Sequence, residues 1–307
     1  MPSRSLGERL GLFVRFARVQ FLPVILAPLL VGTAAAWHAS RSLNLLLLGL
    51  LFFGSASLLI ASNSIDDVYD FVNGVDQVSE RMFPKEFPGW KPIPRGLMSV
   101  GQGLTISGAF YLLSLAVAVY LALAVGWIAL AIAAPGILLG YFYAAPPLRL
   151  DYRGFGFGEV AIFLSFGAIP AMGAFYVLTG GLTLLPLLVS IPSGLLTTNV
   201  VLTHDLIFYD SYKAAGKRSL AVVLGRVRTE RFTFGLAGVA YALTLLLVAV
   251  GEIPVPSLLV LLALPALLLK GLPSGDEKPI PEYAKMTMRV FVHSILFSVL
   301  LAAGLIL

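Results

Sequence analysis

The chain has 307 residues, of which 58% are hydrophobic and only 12% are charged, and its mean hydropathy is +0.92. These values are typical of a polytopic membrane protein. Cysteine is absent from the sequence, which excludes disulfides, thiolate nucleophiles and thiolate metal sites. The dispersed histidines, His38, His204 and His293, form no zinc-binding pattern. The net charge of +5 fits basic cytoplasmic loops, so the expected surroundings are a lipid bilayer, with no nucleic acid as a partner.

Apolar segments along the chain predict an all-α protein of nine transmembrane helices in a single domain covering 1–307. The second segment runs into an aspartate-rich motif at 63–76, and the sixth runs into another at 204–218. This recurrence predicts two tandem four-helix units plus one extra helix, with a cytoplasmic-side cap. The segments are about 21–37, 43–61, 101–123, 127–143, 157–178, 182–202, 232–250, 255–269 and 290–307.

The distribution of charge predicts the orientation of the helices. All lysines and arginines except Arg41 fall in the N-terminal segment or in the loops after the even-numbered helices, and all acids except Glu252 lie on the same side. By the positive-inside rule this side faces the cytoplasm. We therefore expect a multi-pass protein of the cell (cytoplasmic) membrane, with the N-terminus and both aspartate motifs on the cytoplasmic side and the C-terminus outside.

The first motif places Asn63, Asp66, Asp67 and Asp70 where an apolar helix ends. Their spacing of i, i+3, i+4 and i+7 puts most of them on one helix face. Like charges at this spacing repel, and a charge near the hydrocarbon core is costly. A Mg²⁺ ion, which prefers oxygen ligands, would stabilise such a group. A solvated helix end is the alternative for one such motif taken alone.

The second motif, taken together with the first, indicates which ligand the aspartates bind. Asp205 and Asp210 follow another apolar helix and are themselves followed by cations. Two aspartate sites for two Mg²⁺ ions, with lysine and arginine beside them, indicate an enzyme that binds a diphosphate. For any one cation the alternative is a role in topology or in contact with anionic lipid. The candidate diphosphate-binding cations are Arg18, Lys91, Arg95, Arg149, Lys213, Lys217 and Arg218.

An allylic diphosphate combines a long apolar tail with a polyanionic leaving group, and a cavity inside a helical membrane bundle suits both parts. Cleavage of its C–O bond leaves a carbocation, which must be shielded from water and stabilised by aromatic faces. Tyr69, Tyr141, Tyr143 and Phe166 are candidates for these faces, with plain packing or an interfacial belt as the alternative. His204 could orient a phosphate, help to deprotonate the acceptor, or simply be solvated.

Both motifs resemble those of the UbiA superfamily of intramembrane aromatic prenyltransferases. The run at 66–70, followed by Asp76, is similar to the first family motif, Asn-Asp-x-x-Asp with a later Asp. The second family motif is an Asp pair upstream of Gly-Lys-Arg-Thr/Ser-Leu. Here Asp205 and Asp210 precede the matching run at 216–220.

The resemblance covers roughly residues 12–230. It implies nine helices and the Mg²⁺-dependent transfer of a polyprenyl group, geranylgeranyl or longer, from its diphosphate to a lipophilic acceptor. It also implies that the aspartates act as catalytic residues and metal ligands together. One ion would be held by Asn63, Asp66, Asp67 and Asp70, and the other by Asp205 and Asp210.

Within the family, different stretches are similar to different branches. The stretches at 18–32, 69–76 and 152–167 are most similar to the 1,4-dihydroxy-2-naphthoate prenyltransferases of menaquinone synthesis. The loop at 91–96 is more similar to that of the 4-hydroxybenzoate and geranylgeranylglyceryl phosphate branches.

Three features depart from the family pattern. Asp66 stands where the family has an asparagine, although Asn63 lies one turn earlier on the same face. His204 stands where the family has an arginine, and the link at 205–216 is a few residues longer than usual. These departures concern contacts with the acceptor more than the diphosphate site.

The sequence therefore predicts an aromatic prenyltransferase of menaquinone synthesis. The alternative within the family is a geranylgeranylglyceryl phosphate transferase of ether-lipid synthesis, because Arg95 and Lys213 could bind a phosphorylated acceptor. The alternative from another class is a secondary transporter or channel. Acids that cluster at one membrane face, rather than along a path at the midplane, argue against a transporter.

Overall fold

The computed structural model describes residues 5–83, 90–268 and 275–307. Within these ranges the chain forms α-helices joined by loops and short 3-10 or π turns, and it forms no β-strand. The α-helices are α1 (Leu6–Phe16), α2 (Leu22–Ser40), α3 (Leu45–Val72), α4 (Val75–Met82), α5 (Val100–Val125), α6 (Ile128–Phe142), α7 (Phe157–Phe163), α8 (Ile169–Thr179), α9 (Leu185–Ile207), α10 (Tyr209–Ala214), α11 (Leu220–Leu224), α12 (Arg226–Ala249), α13 (Leu264–Leu268) and α14 (Ile280–Ile306).

Long apolar segments confirm the predicted all-α membrane architecture. In the described part of the chain, 7 helical segments are long and apolar enough to cross a membrane. The fourth and eighth predicted helices correspond to shorter apolar segments, Ile128–Phe142 and Val255–Leu268. The 7 long segments are Val19–Ser40, Leu45–Val72, Val100–Val125, Phe157–Thr179, Leu185–Ile207, Arg226–Ala249 and Ile280–Ile306.

The polar stretches contain more helix than the sequence predicts. Helix α4 lies in the predicted loop after α3, and Gly74, at φ 85°, joins the two helices in a conformation that glycine adopts without strain. Helix α14 begins at Ile280, well before the predicted start of the last span. Pro281 suits this first turn because the N–H that proline lacks would have no partner there. The helices thus extend past their apolar cores, and the polar end of α3 holds Asn63, Asp66, Asp67 and Asp70.

Close contacts between helices surround a central cavity. Gly32 of α2 faces the carbonyl group of Ala171 in α8, and a Cβ atom at Gly32 would have no room. One buried apolar cluster joins α2, α3, α5 and α8 along the cavity, and it includes Leu29, Leu51 and Leu121. The interior walls of the bundle are therefore apolar over much of their length.

A π turn over Leu164–Ala168 interrupts the helical segment between α7 and α8. Phe166 departs from helical geometry there, with φ −119° and ψ 19°. A Cβ atom on Gly167 would lie 2.9 Å from the Cα of Gly194, so the turn packs directly on α9. Turns of this kind often mark functional positions, and here Ser165 and Phe166 line the cavity.

Candidate active site

The cavity has a volume of about 740 Å³ and lies among α2, α3, α5, α6, α8, α9 and α14. One end is apolar, with Leu51, Leu121 and Val177 among its walls. At the other end acidic and basic side chains converge from several helices and loops. The acids lining this polar end are Asp66, Asp67, Asp70, Asp76, Glu80, Asp151 and Asp205.

The predicted aspartates of α3 reach the cavity, and Arg18 pairs with two of them. Asp67 and Asp70 are only 1% and 2% exposed, which places them on the inner face of the helix. The guanidinium of Arg18 lies 3.2 Å from Asp66 and also pairs closely with Asp67. Arg18 precedes the turn that begins the first span. Burial opposes its charge, but these carboxylates outweigh burial and raise the pKa of Arg18.

Lys91 lies among three carboxylates. Its Nζ atom is 3.0 Å from Asp67, 3.0 Å from Asp70 and 2.9 Å from Asp76. Although burial disfavours the ammonium, the three carboxylates raise the pKa of Lys91 well above its ordinary value. Burial, together with repulsion from the neighbouring carboxylates, raises the pKa of Asp76 to about 7. Asp76 therefore belongs to the same charged cluster as the residues of α3.

Lys217 is the third cation inside the cluster, after Arg18 and Lys91, and it is only 2% exposed. Its Nζ atom lies 3.3 Å from Asp70 and 2.5 Å from Asp151. The rings of Tyr152 and Tyr212 flank it, with centroids at 5.0 Å and 4.4 Å. Burial raises the pKa of Asp151 to about 8. Lys217 thus connects the first aspartate motif to the loop before α7.

The two aspartates of the second motif lie in different places. Asp205 is buried and lines the cavity, with its carboxylate 3.7 Å from Nδ1 of His204. Asp210 is not among the lining residues; its side chain is 58% exposed and lies 2.7 Å from Arg226. The break at Phe208 between α9 and α10 separates the two positions. The structure therefore does not bring Asp210 together with the other predicted metal ligands.

The remaining predicted residues also divide into two groups. Asn63, Arg95, Tyr143 and Phe166 line the cavity. Arg95 does so while bonded to Glu80 at 3.1 Å. Four other predicted side chains are not among the lining residues: Arg149, Lys213, Tyr69 and Tyr141. Arg218, which also lies outside the lining, has its guanidinium 5.8 Å from the ring of Phe155.

Several residues of the cluster are absent from the predicted site, namely Asp76, Asp151 and Tyr152. The hydroxyl of Tyr152 donates a hydrogen bond to Asp70, and Asp151 contacts Lys217. Asp151 and Tyr152 lie in the polar loop before α7, a long way along the chain from either motif. The presence of an acid in an otherwise basic loop was the one signal that could have indicated Asp151.

The donor chemistry of the cluster fits a divalent cation. Buried carboxylate oxygens on Asp66, Asp76 and Asp205 have no hydrogen-bond partner, and such oxygens are the ligands that Mg²⁺ prefers. Among the described residues, no three histidine or acidic side chains converge on one point as a preformed metal cage. This agrees with Mg²⁺ sites that use one or two carboxylates and complete their coordination with water and substrate phosphate.

Comparison with known proteins gives one family. A model of the UbiA prenyltransferase family matches residues 25–303. The chain is 30% identical to the 1,4-dihydroxy-2-naphthoate octaprenyltransferase of Mycobacterium tuberculosis, over 76% of this chain and 77% of that protein. It is 26% identical to the Haemophilus influenzae protein of the same name, over 99% of this chain and 98% of that protein.

Solved structures have the same fold. A UbiA homologue from Archaeoglobus fulgidus bound to GPP and Mg²⁺ superposes with a TM-score of 0.65, at 17% identity, over 94% of this chain and 99% of that one. A structure described as digeranylgeranylglyceryl phosphate synthase superposes with a TM-score of 0.59, at 19% identity, over 97% of this chain and 99% of that one.

Proposed function

Since the chain belongs to the UbiA prenyltransferase family, we propose that it transfers a polyprenyl group from an allylic diphosphate to a lipophilic aromatic acceptor with the help of Mg²⁺. The observation that supports this most strongly is the cavity itself. A cluster of buried carboxylates and cations occupies one end, and apolar walls form the other. This division matches a donor with a polyanionic head and a hydrocarbon tail.

We assign the metal ligands from the acids at the polar end. Asn63, Asp66, Asp67 and Asp70 are the candidates from which one Mg²⁺ ion takes one or two carboxylate ligands, and Asp205 is the candidate ligand for a second. Asp210, which pairs with Arg226 outside the cavity, is not needed in this assignment. When bound, Mg²⁺ neutralises the negative charge that develops on the departing diphosphate.

We assign diphosphate binding to the cations that already lie inside the cluster. Arg18, Lys91 and Lys217 each contact carboxylates of the site, so a diphosphate bound beside these carboxylates comes within their reach. Cations aimed at the leaving group lower the barrier to C–O cleavage because they stabilise its charge as it forms. Arg95 lies farther out, bonded to Glu80, and is the fourth candidate.

The apolar end is the proposed site of the prenyl chain. From Asp66 to Leu51 along α3, a helical rise of about 1.5 Å per residue gives roughly 22 Å. An extended amino-acid residue has three backbone bonds and a length of about 3.3–3.6 Å. An isoprene unit has four backbone bonds, so its extended length is about 4–5 Å. The apolar part therefore has room for roughly four to five extended units, and its walls exclude water from the allylic cation.

The proposed topology has nine spans, counting the two shorter apolar segments. The N-terminus and the charged cluster then face the cytoplasm, and the C-terminus lies outside. Such an arrangement gives the polar end of the cavity access to a diphosphate from the cytoplasm while the tail remains in the bilayer.

The proposed acceptor is 1,4-dihydroxy-2-naphthoate, which would place the enzyme in menaquinone synthesis. The names of the Mycobacterium tuberculosis and Haemophilus influenzae relatives support this choice. The second candidate is geranylgeranylglyceryl phosphate, supported by the fold neighbour described as digeranylgeranylglyceryl phosphate synthase and by the position of Arg95 at the polar end. Family membership favours either transferase over the transporter.

A radiolabel assay tests the proposal. Purified protein receives labelled geranylgeranyl diphosphate and Mg²⁺, with each acceptor offered separately and with EDTA as a control. We expect labelled product with the naphthoate and none after EDTA treatment. Product with the glyceryl phosphate alone would instead assign the chain to ether-lipid synthesis. No product with either acceptor, together with diphosphate binding that Mg²⁺ does not strengthen, would contradict the proposal.

A further inference from the structure

Three aromatic rings, called the aromatic stack below, lie in a row along the end of α9 and the start of α10. His204, Phe208 and Tyr212 are spaced i, i+4 and i+8, which places them above one another on a helix. The ring centroids of His204 and Phe208 are 5.0 Å apart, with the rings inclined by 40°. Those of Phe208 and Tyr212 are 5.7 Å apart, with the rings inclined by 17°. All three side chains line the cavity.

Neighbouring elements hold this aromatic stack in position. The N–H of Tyr212 donates to the carbonyl of Phe208 at 2.8 Å, which fixes the first turn of α10 on the residue where α9 ends. The ring of Phe83, at the end of α4, packs on Phe208 with centroids 5.2 Å apart. Ser79 and Ser211 form a hydrogen bond of 3.1 Å between α4 and α10. Helix α4 and the residue that follows it thus support the stack at Phe208 and at the start of α10.

The two ends of the stack differ. At the Tyr212 end the ring is 7% exposed and is covered by Lys217, whose ammonium lies 4.4 Å from the ring centroid. At the other end the His204 side chain is 38% exposed. Only the His204 end therefore offers a ring to a molecule in the cavity. That end also lies beside Asp205, at the boundary between the charged cluster and the apolar walls.

We propose that the His204 end of the stack binds the planar ring of an aromatic acceptor. This inference rests on the proposed transferase function and specifies how the acceptor is recognised. Offset stacking between aromatic rings contributes free energy beyond the apolar area that is buried. Contact with the ring of Phe208 restricts the imidazole of His204, so less entropy is lost when a ring binds. A glyceryl phosphate acceptor has no ring and gains nothing from such a surface.

Two substitutions at His204 separate stacking from other roles. His204→Leu removes the ring and keeps apolar bulk, while His204→Phe restores a ring without the imidazole nitrogens. Phe53→Leu is the matched control, because Phe53 is 51% exposed and is not among the cavity-lining residues. His38→Gln controls for loss of a histidine, since His38 lies at the far end of α2 and contacts the carbonyl of Leu305.

The KM is measured for the acceptor and for the prenyl donor in each variant. We expect His204→Leu to raise the KM for 1,4-dihydroxy-2-naphthoate about tenfold, with the KM for geranylgeranyl diphosphate unchanged. His204→Phe should bring the acceptor KM back to within about threefold of wild type. The Kd of 1-hydroxy-2-naphthoate, measured without any prenyl donor, should be lowest in wild type, slightly higher in His204→Phe and highest in His204→Leu. Both control variants should match wild type.

Three results would overturn the inference. They are an unchanged acceptor KM in His204→Leu, an equal rise in both KM values, and a His204→Phe variant as impaired as His204→Leu. Failure of the proposed function is distinguishable from failure of the inference. If wild type forms no naphthoate product, the function fails, while the Kd series without donor still decides whether the stack binds an aromatic ring.

Discussion

At the scale of single residues, Asp70 of the charged cluster makes more contacts than a carboxylate in a simple ion pair does. Asp70 contacts Lys91 at 3.0 Å and Lys217 at 3.3 Å, and it also accepts a hydrogen bond from Tyr152. Asp70 therefore joins the first motif, the loop after α4 and the segment after α10. Removal of any one charge leaves buried partners with less compensation, which is costly for buried charges.

The different positions of the second-motif aspartates give a prediction. Asp205→Asn should lower kcat at least a hundredfold, because a buried charged oxygen ligand is lost from the cavity. Asp210→Asn should retain activity within about threefold, because its exposed pair with Arg226 contributes little. The measurement is the steady-state transfer rate at saturating Mg²⁺, with folding monitored by size-exclusion chromatography. Equal losses in the two variants would show that Asp210 acts in the site.

Lys91 gives a second prediction at this scale. Lys91→Met should lower Tm by several degrees in EDTA, because Asp67, Asp70 and Asp76 then lose the cation that contacts all three and repel one another more strongly. Added Mg²⁺ should restore more of the Tm in this variant than it adds to wild type. A thermal shift assay in detergent measures both effects. A Tm that Mg²⁺ leaves unchanged would contradict metal binding by these carboxylates.

At the scale of helices, the approach of α2 to α8 depends on glycine. A Cβ at Gly32 would collide with the backbone of Ala171, so Gly32→Ala should lower the free energy of unfolding by about 1–3 kcal/mol. Gly108→Ala is the matched control, since a Cβ there meets nothing within 4 Å and alanine favours helix. Thermal unfolding of the two variants measures the difference. A Gly32→Ala variant as stable as Gly108→Ala would contradict the close approach of these two helices.

The helices and the first motif could be predicted from the sequence, whereas parts of the site could not. Long apolar segments and the spacing of Asp66, Asp67 and Asp70 are local patterns, and periodicity alone identifies them. The contact of Asp151 with Lys217 joins segments distant along the chain, and only packing determines it. The position of Asp210 outside the cavity could not be predicted for a similar reason, because the break at Phe208 redirects the chain after α9.

At the scale of the whole molecule, a cytoplasmic active site requires that the polar end of the cavity open on the cytoplasmic side of the membrane. The absence of cysteine lets single-cysteine variants of the intact chain report sidedness. Glu277→Cys should react with an impermeant maleimide only after the membrane is opened, and Ser42→Cys should react in intact cells. Both residues are exposed, so reactivity depends on access from one side. The opposite pattern would contradict a cytoplasmic active site.

Asp70→Ala provides the most direct test of the central claim, which is that the buried carboxylates of the cavity drive prenyl transfer. The variant is assayed beside wild type and Glu282→Gln, a surface control on α14, with labelled geranylgeranyl diphosphate, Mg²⁺ and 1,4-dihydroxy-2-naphthoate. We predict that Asp70→Ala folds in detergent yet forms no product, while Glu282→Gln matches wild type. Wild-type turnover by folded Asp70→Ala would contradict the account.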